Sequence, residues 1–312
     1  MAVLNLVDIL ARTNADPIKG LVEDVLTMAP EFMVVPATPR AGTSYRVTRR
    51  TGYPSGGFRA VNDANAPGKS TYVQSIKEMF FLDYPLQIDE AIVQADDGSA
   101  GDLLTQEQRG AFESMMMDVG SQFYYGTDSD AAGFAGLKSQ CVYSLAAGST
   151  TNTTSAYLVW LDERGVRFDV GRSGNLSLAP WSTQVVSVNS GNQRAYVSNL
   201  SGYIGLSVSS EYSVYRVKGI DMTSKLTDAL GLTLLAQVPM ARRNNLRWFM
   251  NRTAHTSLQL SRSVTTYVGA GADGSPASAP APTTLGGVPI TVTDSLVDTE
   301  TAVNTSGPGL GE

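Results

Sequence analysis

One cysteine, one histidine and no long apolar run set the first limits on this chain of 312 residues. A lone Cys141 forms no intrachain disulfide, so no covalent framework holds the fold, and a reducing compartment is the simplest setting. With His255 as the only imidazole, His-dependent acid–base schemes and most metal sites fall away. Nowhere do 18 apolar residues run without a charge, so no membrane-spanning helix is expected. The start, MAVLNLVDILARTNADP, lacks the basic region and cleavage site of a secretory signal, and Asp8 interrupts its apolar stretch. The protein reads as soluble and cytoplasmic when made.

Charge is scarce as well. Charged side chains make up 17 % of the chain, against about 25 % in an average soluble domain. The 23 basic and 29 acidic residues leave a net charge of −6. That balance argues against a protein gripping nucleic acid over most of its surface, which needs clustered Lys and Arg.

Catalytic patterns are missing too. There is no G-x-S-x-G elbow, phosphate-binding loop or H-E-x-x-H. Gly307, Gly309 and Gly311 follow no strand. Cys141 has no nearby His or cationic cluster, and His255 sits among polar residues of a short helix. The acid pairs Asp96–Asp97, Asp128–Asp130 and Asp162–Glu163 lie in turn-like segments, where surface turns explain them. No catalytic residue, cofactor or metal is expected, which points to a structural or binding protein.

The elements that are present come in a distinctive order. Leu4–Leu10 and Pro17–Pro30 carry helical spacing, with Asp16 as cap and Pro17 in the first turn. Both are too short to stand alone in water and need a surface to pack on. Ser44–Arg50 and Ser70–Leu82 alternate like strands around the Gly-, Pro- and Asn-rich stretch Thr51–Gly68, which predicts a long two-stranded ribbon with an irregular tip. Residues 103–125 predict a helix of roughly 30 Å with Thr105 and Gln108 as a capping box. Strands follow at Ala156–Leu161, Val166–Val170, Gln184–Val188, Arg194–Val197, Ile204–Val208 and Ser213–Val217. A helix is predicted at Ser224–Gln237, a strand at Leu246–Met250, a helix capped by Thr253 to Ser261, a flexible loop over 269–283 and a strand at Val288–Val292. The order is mixed α+β, not βαβ alternation.

Charge is distributed unevenly along it. From Arg40 to Lys77 seven basic residues (Arg40, Arg46, Arg49, Arg50, Arg59, Lys69, Lys77) face one acid, Asp63. The segment is about +6 and the remainder about −12. The ribbon can bury little of itself, and an isolated hairpin is marginal in water. Its charge suits an acidic neighbouring surface.

The chain resembles the major capsid proteins of tailed bacteriophages, the Hong Kong 97-type fold, and within them a podovirus-like subgroup. The ribbon tip reads R-T-G-Y-P-S-G-G-F-R-A-V-N (Arg50–Asn62). The long helix ends in F-Y-Y-G (Phe123–Gly126), with F-A-G-L (Phe134–Leu137) after it. S-A-Y-L-V-W (Ser155–Trp160), G-L-S-V-S-S-E-Y-S-V-Y-R-V (Gly205–Val217) and W-F-M-N-R-T (Trp248–Thr253) follow. G-G-V-P-I-T-V-T-D-S-L (Gly286–Leu296) and T-E-T-A-V (Thr299–Val303) close the series. Leu161 and Asp162 stand where the family often has glycine, a difference of local turns. Lys69 lies in the ribbon, but no motif marks a cross-linking partner for it.

The resemblance implies an N-terminal arm (1–40), an extended β-ribbon or E-loop (41–90), a peripheral domain with a long spine helix (91–140), an axial domain (141–284) and a C-terminal strand and tail (285–312). It implies hexamers and pentamers of an icosahedral head in the virion, assembled in the host cytoplasm around double-stranded DNA without sequence-specific contact. A separate scaffolding protein and a portal would be partners. The expected assembly interface is Arg46, Arg49, Arg50, Arg59, Lys69 and Lys77 on the ribbon, with Phe112, Met115, Met116 and Val119 on the helix. The rival expectations are an encapsulin-like bacterial nanocompartment around an enzyme, and a carboxylate- or metal-dependent hydrolase.

Overall fold

A computed structural model describes residues 29–95, 100–172, 177–188, 191–265 and 280–300. The two expected N-terminal helices, Asp96–Asp97, most of the 269–283 loop and the end of the tail lie outside these residues.

The central layer is a six-stranded sheet built on β6 (Thr154–Trp160). Its order is β13 (Thr284–Leu285), β14 (Val288–Val292), β12 (Leu246–Met250), β6, β11 (Val214–Ile220) and β5 (Tyr143–Ala146). Strand β6 is buried along nearly its whole length, as its continuous apolar run Ala156–Trp160 requires of a strand covered on both faces. Side chains alternate between two cores. Tyr157 and Val159, with Val214 and Phe249, enter one. Ala156 and Leu158, with Tyr215, Val217, Trp248 and Met250, enter the other.

The long helix α3 (Ala100–Tyr125) covers the first face through Met115, Val119, Phe123 and Tyr124. At 1.5 Å per residue its 26 residues span about 39 Å. Phe123 packs against Tyr124, Phe168 and Phe249 with ring centroids 4.9, 5.3 and 6.1 Å away. Short helices precede α3, namely α1 (Glu31–Val34) and α2 (Glu90–Ala95), and α4 (Leu137–Gln140) follows it. Helices α5 (Asp228–Ala236) and α6 (Arg252–Thr265) cover the second face with Leu234, Ala254 and Leu258.

A second six-stranded sheet joins β1 (Ala37–Arg40), β7 (Val166–Gly171), β10 (Gly191–Val208) and β4 (Phe80–Asp89), with β8 (Ser177–Leu178) and β9 (Ser182–Val188) also on β10. Its Phe168, Leu200, Ile204 and Leu206 complete the core under α3. The ribbon is a separate two-stranded sheet, β2 (Ser44–Gly52) and β3 (Thr71–Glu78), paired from Ser44↔Glu78 to Gly52↔Thr71.

Several local expectations shift. The strand predicted to Leu82 divides at Met79: the ribbon ends at Glu78, and β4 turns into the body to pair with β10. Residues 37–40 of the expected arm are body strand too, parallel to β7. Arg194–Val197 and Ile204–Val208 are parts of one strand, β10. Thr105 and Gln108 do not cap α3, which starts five residues earlier: Thr105 donates to Gly101 O, and Gln108 reaches Ser198. The cap of α6 is Asn251, whose Oδ1 accepts from Ala254 N at 2.9 Å, while Thr253 bonds Asp298. Residues 166–208 pair with 37–40 and 80–89 and not with β6.

Candidate assembly surface

The tip of the ribbon is built from residues that no body contact covers. Tyr53, Phe58 and Val61 are almost fully exposed, and Tyr72, Val73 and Ile76 on β3 are more than half or nearly half open to water. Local bonds shape the tip. Asp63 N donates to Ala60 O across a turn in which Asn62 takes φ +66°, a conformation Asn tolerates. Arg59 Nη1 donates to Asp63 O at 2.7 Å, and Asn65 Nδ2 donates to Gly57 O at 2.5 Å. Arg50 lies over the rings of Tyr53 and Tyr72 at 5.7 and 5.5 Å and donates to the Tyr72 hydroxyl at 3.1 Å. That donor holds the exposed Tyr72 phenol below its ordinary pKa. These contacts stiffen a tip whose apolar and basic side chains still point at solvent.

The root of the ribbon is tied to its own subunit. Arg49 Nη2 pairs with Glu211 Oε1 at 2.6 Å, and Lys77 Nζ donates to Gln140 Oε1 at 3.3 Å. Burial pushes the Lys77 ammonium below its usual pKa range. The Tyr45 hydroxyl donates to Asp169, which also accepts from Arg167 at 3.0 Å and attracts Arg40 at 3.5 Å. Burial, reinforced by the Asp169 carboxylate, raises the Tyr45 pKa.

The expected interface residues therefore divide. Arg46, Arg50, Arg59 and Lys69 form no ion pair among the described residues. Arg49 is held inside the subunit by Glu211, and Lys77 is half-buried against Gln140. On α3, Phe112 is 44 % exposed and Met116 is partly covered by the core. Met115 and Val119 are a correction: at 1 % and 2 % exposed they face the subunit's own core and offer nothing to a neighbour. Helical spacing marks an apolar stripe without saying whose surface covers it.

Sequence reasoning also missed two buried acids, Glu31 and Glu300, near the two ends of the described residues. Glu300 Oε2 bonds Arg216 Nη2 at 2.9 Å and Ser155 Oγ at 2.5 Å, and Glu300 Oε1 accepts from the Tyr125 hydroxyl at 2.7 Å. All are buried or nearly so, and they fasten the C-terminal segment to the central sheet. Glu31 is fully buried with Thr293 Oγ1 at 2.5 Å and Tyr124 OH at 2.8 Å. A glutamate in an otherwise ordinary stretch gives no sequence signal for this.

The remaining chemistry is modest. Burial pushes the Cys141 thiol up to about 12, far from a reactive thiolate. His255 bonds Pro282 O at 2.9 Å. Asp128 pairs with Lys138 at 2.7 Å, and Asp162 accepts from Arg164 N in a turn. Among the described residues no group of three or more His, Cys, Asp and Glu gathers as metal ligands, and no helix is long and apolar enough to cross a membrane.

A family model described as major capsid protein GP7 matches residues 31–304. Among solved structures, a chain of the bacteriophage Epsilon15 structure superposes with a TM-score of 0.72 at 18 % identity, covering 98 % of each chain. The capsid of Myoviridae phage XM1 gives 0.49 at 13 % identity, over 67 % of this chain and 98 % of that one. An encapsulin of Synechococcus elongatus PCC 7942 gives 0.44 at 14 %, over 70 % and 97 %. No curated protein matches by sequence.

Proposed function

Because the chain belongs to the family of major capsid protein GP7 and has the Hong Kong 97-type α+β fold, we propose that its copies form hexamers and pentamers of an icosahedral head, each ribbon lying across a neighbour. The protein is a structural capsid component. Its copies make the shell, double-stranded DNA fills it without sequence-specific contact, and catalysis has no part.

The observation that carries the ribbon's role is the tip: basic, aromatic and open to water on a chain whose remainder is acidic. Only a second copy supplies an acidic, partly apolar surface in the numbers a shell needs. A groove of about 310 Å³ between α3 and β4 has that character, lined by Phe81, Tyr84, Asp118, Asp130 and Phe134. Burial summed over such contacts holds the shell, and ion pairs fix its register. The acidic body suits an interior that holds DNA without binding it. The segment 141–284 forms the axial part toward the capsomer centre, and 91–140 the peripheral part. A separate scaffolding protein and a portal take part, no membrane does, and assembly takes place in the host cytoplasm.

Charge reversal tests the ribbon. Arg50→Glu with Arg59→Glu leaves the body contacts intact, whereas Arg49 is unsuitable because Glu211 holds it. The double variant is expected to give a folded subunit, with an unchanged denaturation midpoint, that forms no shells by electron microscopy. Normal shells from it would remove the ribbon's role. Nuclease-protected DNA inside unaltered particles is the expected content, and a co-purified enzyme in its place would identify a nanocompartment.

A further inference from the structure

The ribbon leans over its own subunit with one face. Tyr45, Val47 and Arg49 alternate onto the same side of β2, and their partners Lys77, Ser75 and Val73 share that side on β3. At the root this face is seated. The Tyr45 hydroxyl donates to the buried Asp169 and accepts from Arg167 Nη2 at 3.3 Å. Gly205 of β10 comes so close to Glu78 that a Cβ would lie 2.6 Å from its carbonyl oxygen. Four residues farther along β2, about 13 Å out from Tyr45, Arg49 meets Glu211. Between the two ties lies a cavity of about 180 Å³, with Val73, Ser75 and Lys77 on the ribbon's side and Gln140, Val208 and Ser210 on the body's. The ribbon thus spans a gap and is held at both ends of it.

The two ties differ in kind. The inner one centres on a buried carboxylate. The outer one is an ion pair whose side chains stay 33 % and 47 % exposed, and such a pair adds little to stability. Its support is nonetheless firm. Glu211 belongs to the one-turn helix Glu211–Ser213, where Tyr212 N donates to Ser210 Oγ at 3.4 Å. The Tyr212 ring stacks on Tyr143 at 5.4 Å, and the Arg242 guanidinium lies over it at 5.6 Å. A weak, directional contact between a long lever and a fixed support is suited to setting an angle. We propose that Arg49 and Glu211 form a strut that fixes the angle of the ribbon against its own body, and so sets where the tip meets the next copy. The role in the shell rests on the proposed docking of the ribbon across a neighbour, whereas the strut itself belongs to the single subunit.

Distance measurement in the free subunit tests the strut. Spin labels are placed on Gln74→Cys, on the outer face of β3, and on Arg164→Cys, in an exposed turn of the body. The Cys141 thiol, pushed up to about 12 by burial, stays unlabelled. With Arg49 and Glu211 in place, one narrow distance is expected. Arg49→Glu and Glu211→Lys are each expected to lose it to a broad distribution at an unchanged denaturation midpoint. Each is also expected to lose closed shells, or to give shells of altered diameter, by electron microscopy. Arg49→Glu combined with Glu211→Lys is expected to restore both the narrow distance and the shells, which a merely destabilised subunit would not do. A distance that neither single variant changes would overturn the strut, as would a double variant that restores nothing. A broad distribution beside normal shells would overturn its part in assembly. Failure of the unaltered chain to form shells, or normal shells from Arg50→Glu with Arg59→Glu, would bring down the docking of the ribbon instead, and the distances would still decide the strut.

Discussion

Two buried glutamates near the two ends of the described residues are held by different means. Glu300 meets the guanidinium of Arg216. Glu31 meets hydroxyls, from Thr293 and Tyr124, with Ser295 at 3.5 Å. Burial without a cation raises the Glu31 pKa above its ordinary 4.5, and the hydroxyl bonds offset this only in part. The native state thus favours the protonated carboxyl. Its contribution to stability is fully present below the unfolded pKa and is lost as pH rises through the raised folded value. Glu31→Gln removes that dependence while keeping an acceptor for the hydroxyls. Urea titrations from pH 4.5 upward are expected to show the unaltered protein losing stability relative to the variant. Parallel curves for the two would show that Glu31 does not titrate in this range. None of this was legible beforehand, because an isolated acid in a sequence reads as solvated. Phe123 was legible, since its place in the 3–4 spacing of the long helix leaves it little choice but burial.

Elements were legible wherever a period repeated. Strand β12 and strand β14 fall where alternation and apolar runs place them, and α3 follows its 3–4 spacing. Ends were less legible, because a cap is a contact and not a pattern. The C-terminal end of α3 is an exception with a physical cause. Gly126 takes φ +60°, and a Cβ there would run into the backbone nitrogen of Gly136 as the chain folds back toward α4. Left-handed backbone costs a residue with a side chain about 1–2 kcal/mol, and the collision adds to it. Gly126→Ala is therefore expected to lower unfolding free energy by at least about that amount in chemical denaturation. A neutral result would mean that the turn relaxes without cost. The ribbon's division at Met79 was not legible, since β3 and β4 form one continuous alternating run and only the partner strand separates them.

At the scale of the whole molecule, the proposed docking of a basic ribbon on an acidic body is expected to make assembly sensitive to salt. The Debye length falls from about 10 Å at 0.1 M to about 3 Å at 1 M. The rate of shell formation, followed by light scattering, is expected to fall steeply over that range while subunit stability changes little. A rate that rises with salt would show that apolar burial alone drives the encounter.

Sequence by itself determined the mixed α+β class, the basic ribbon and the lack of catalytic patterns, because period, charge and residue type are local properties. It carried the family resemblance too, in short motifs kept in order. Only the tertiary structure decided which surfaces are spent within the subunit: Met115 and Val119 in the core, Arg49 on Glu211, and residues 37–40 and 80–89 in the body sheet. An apolar or charged side chain is equally satisfied by its own chain and by a neighbour, and distance in space, which no spacing along the chain encodes, settles between them.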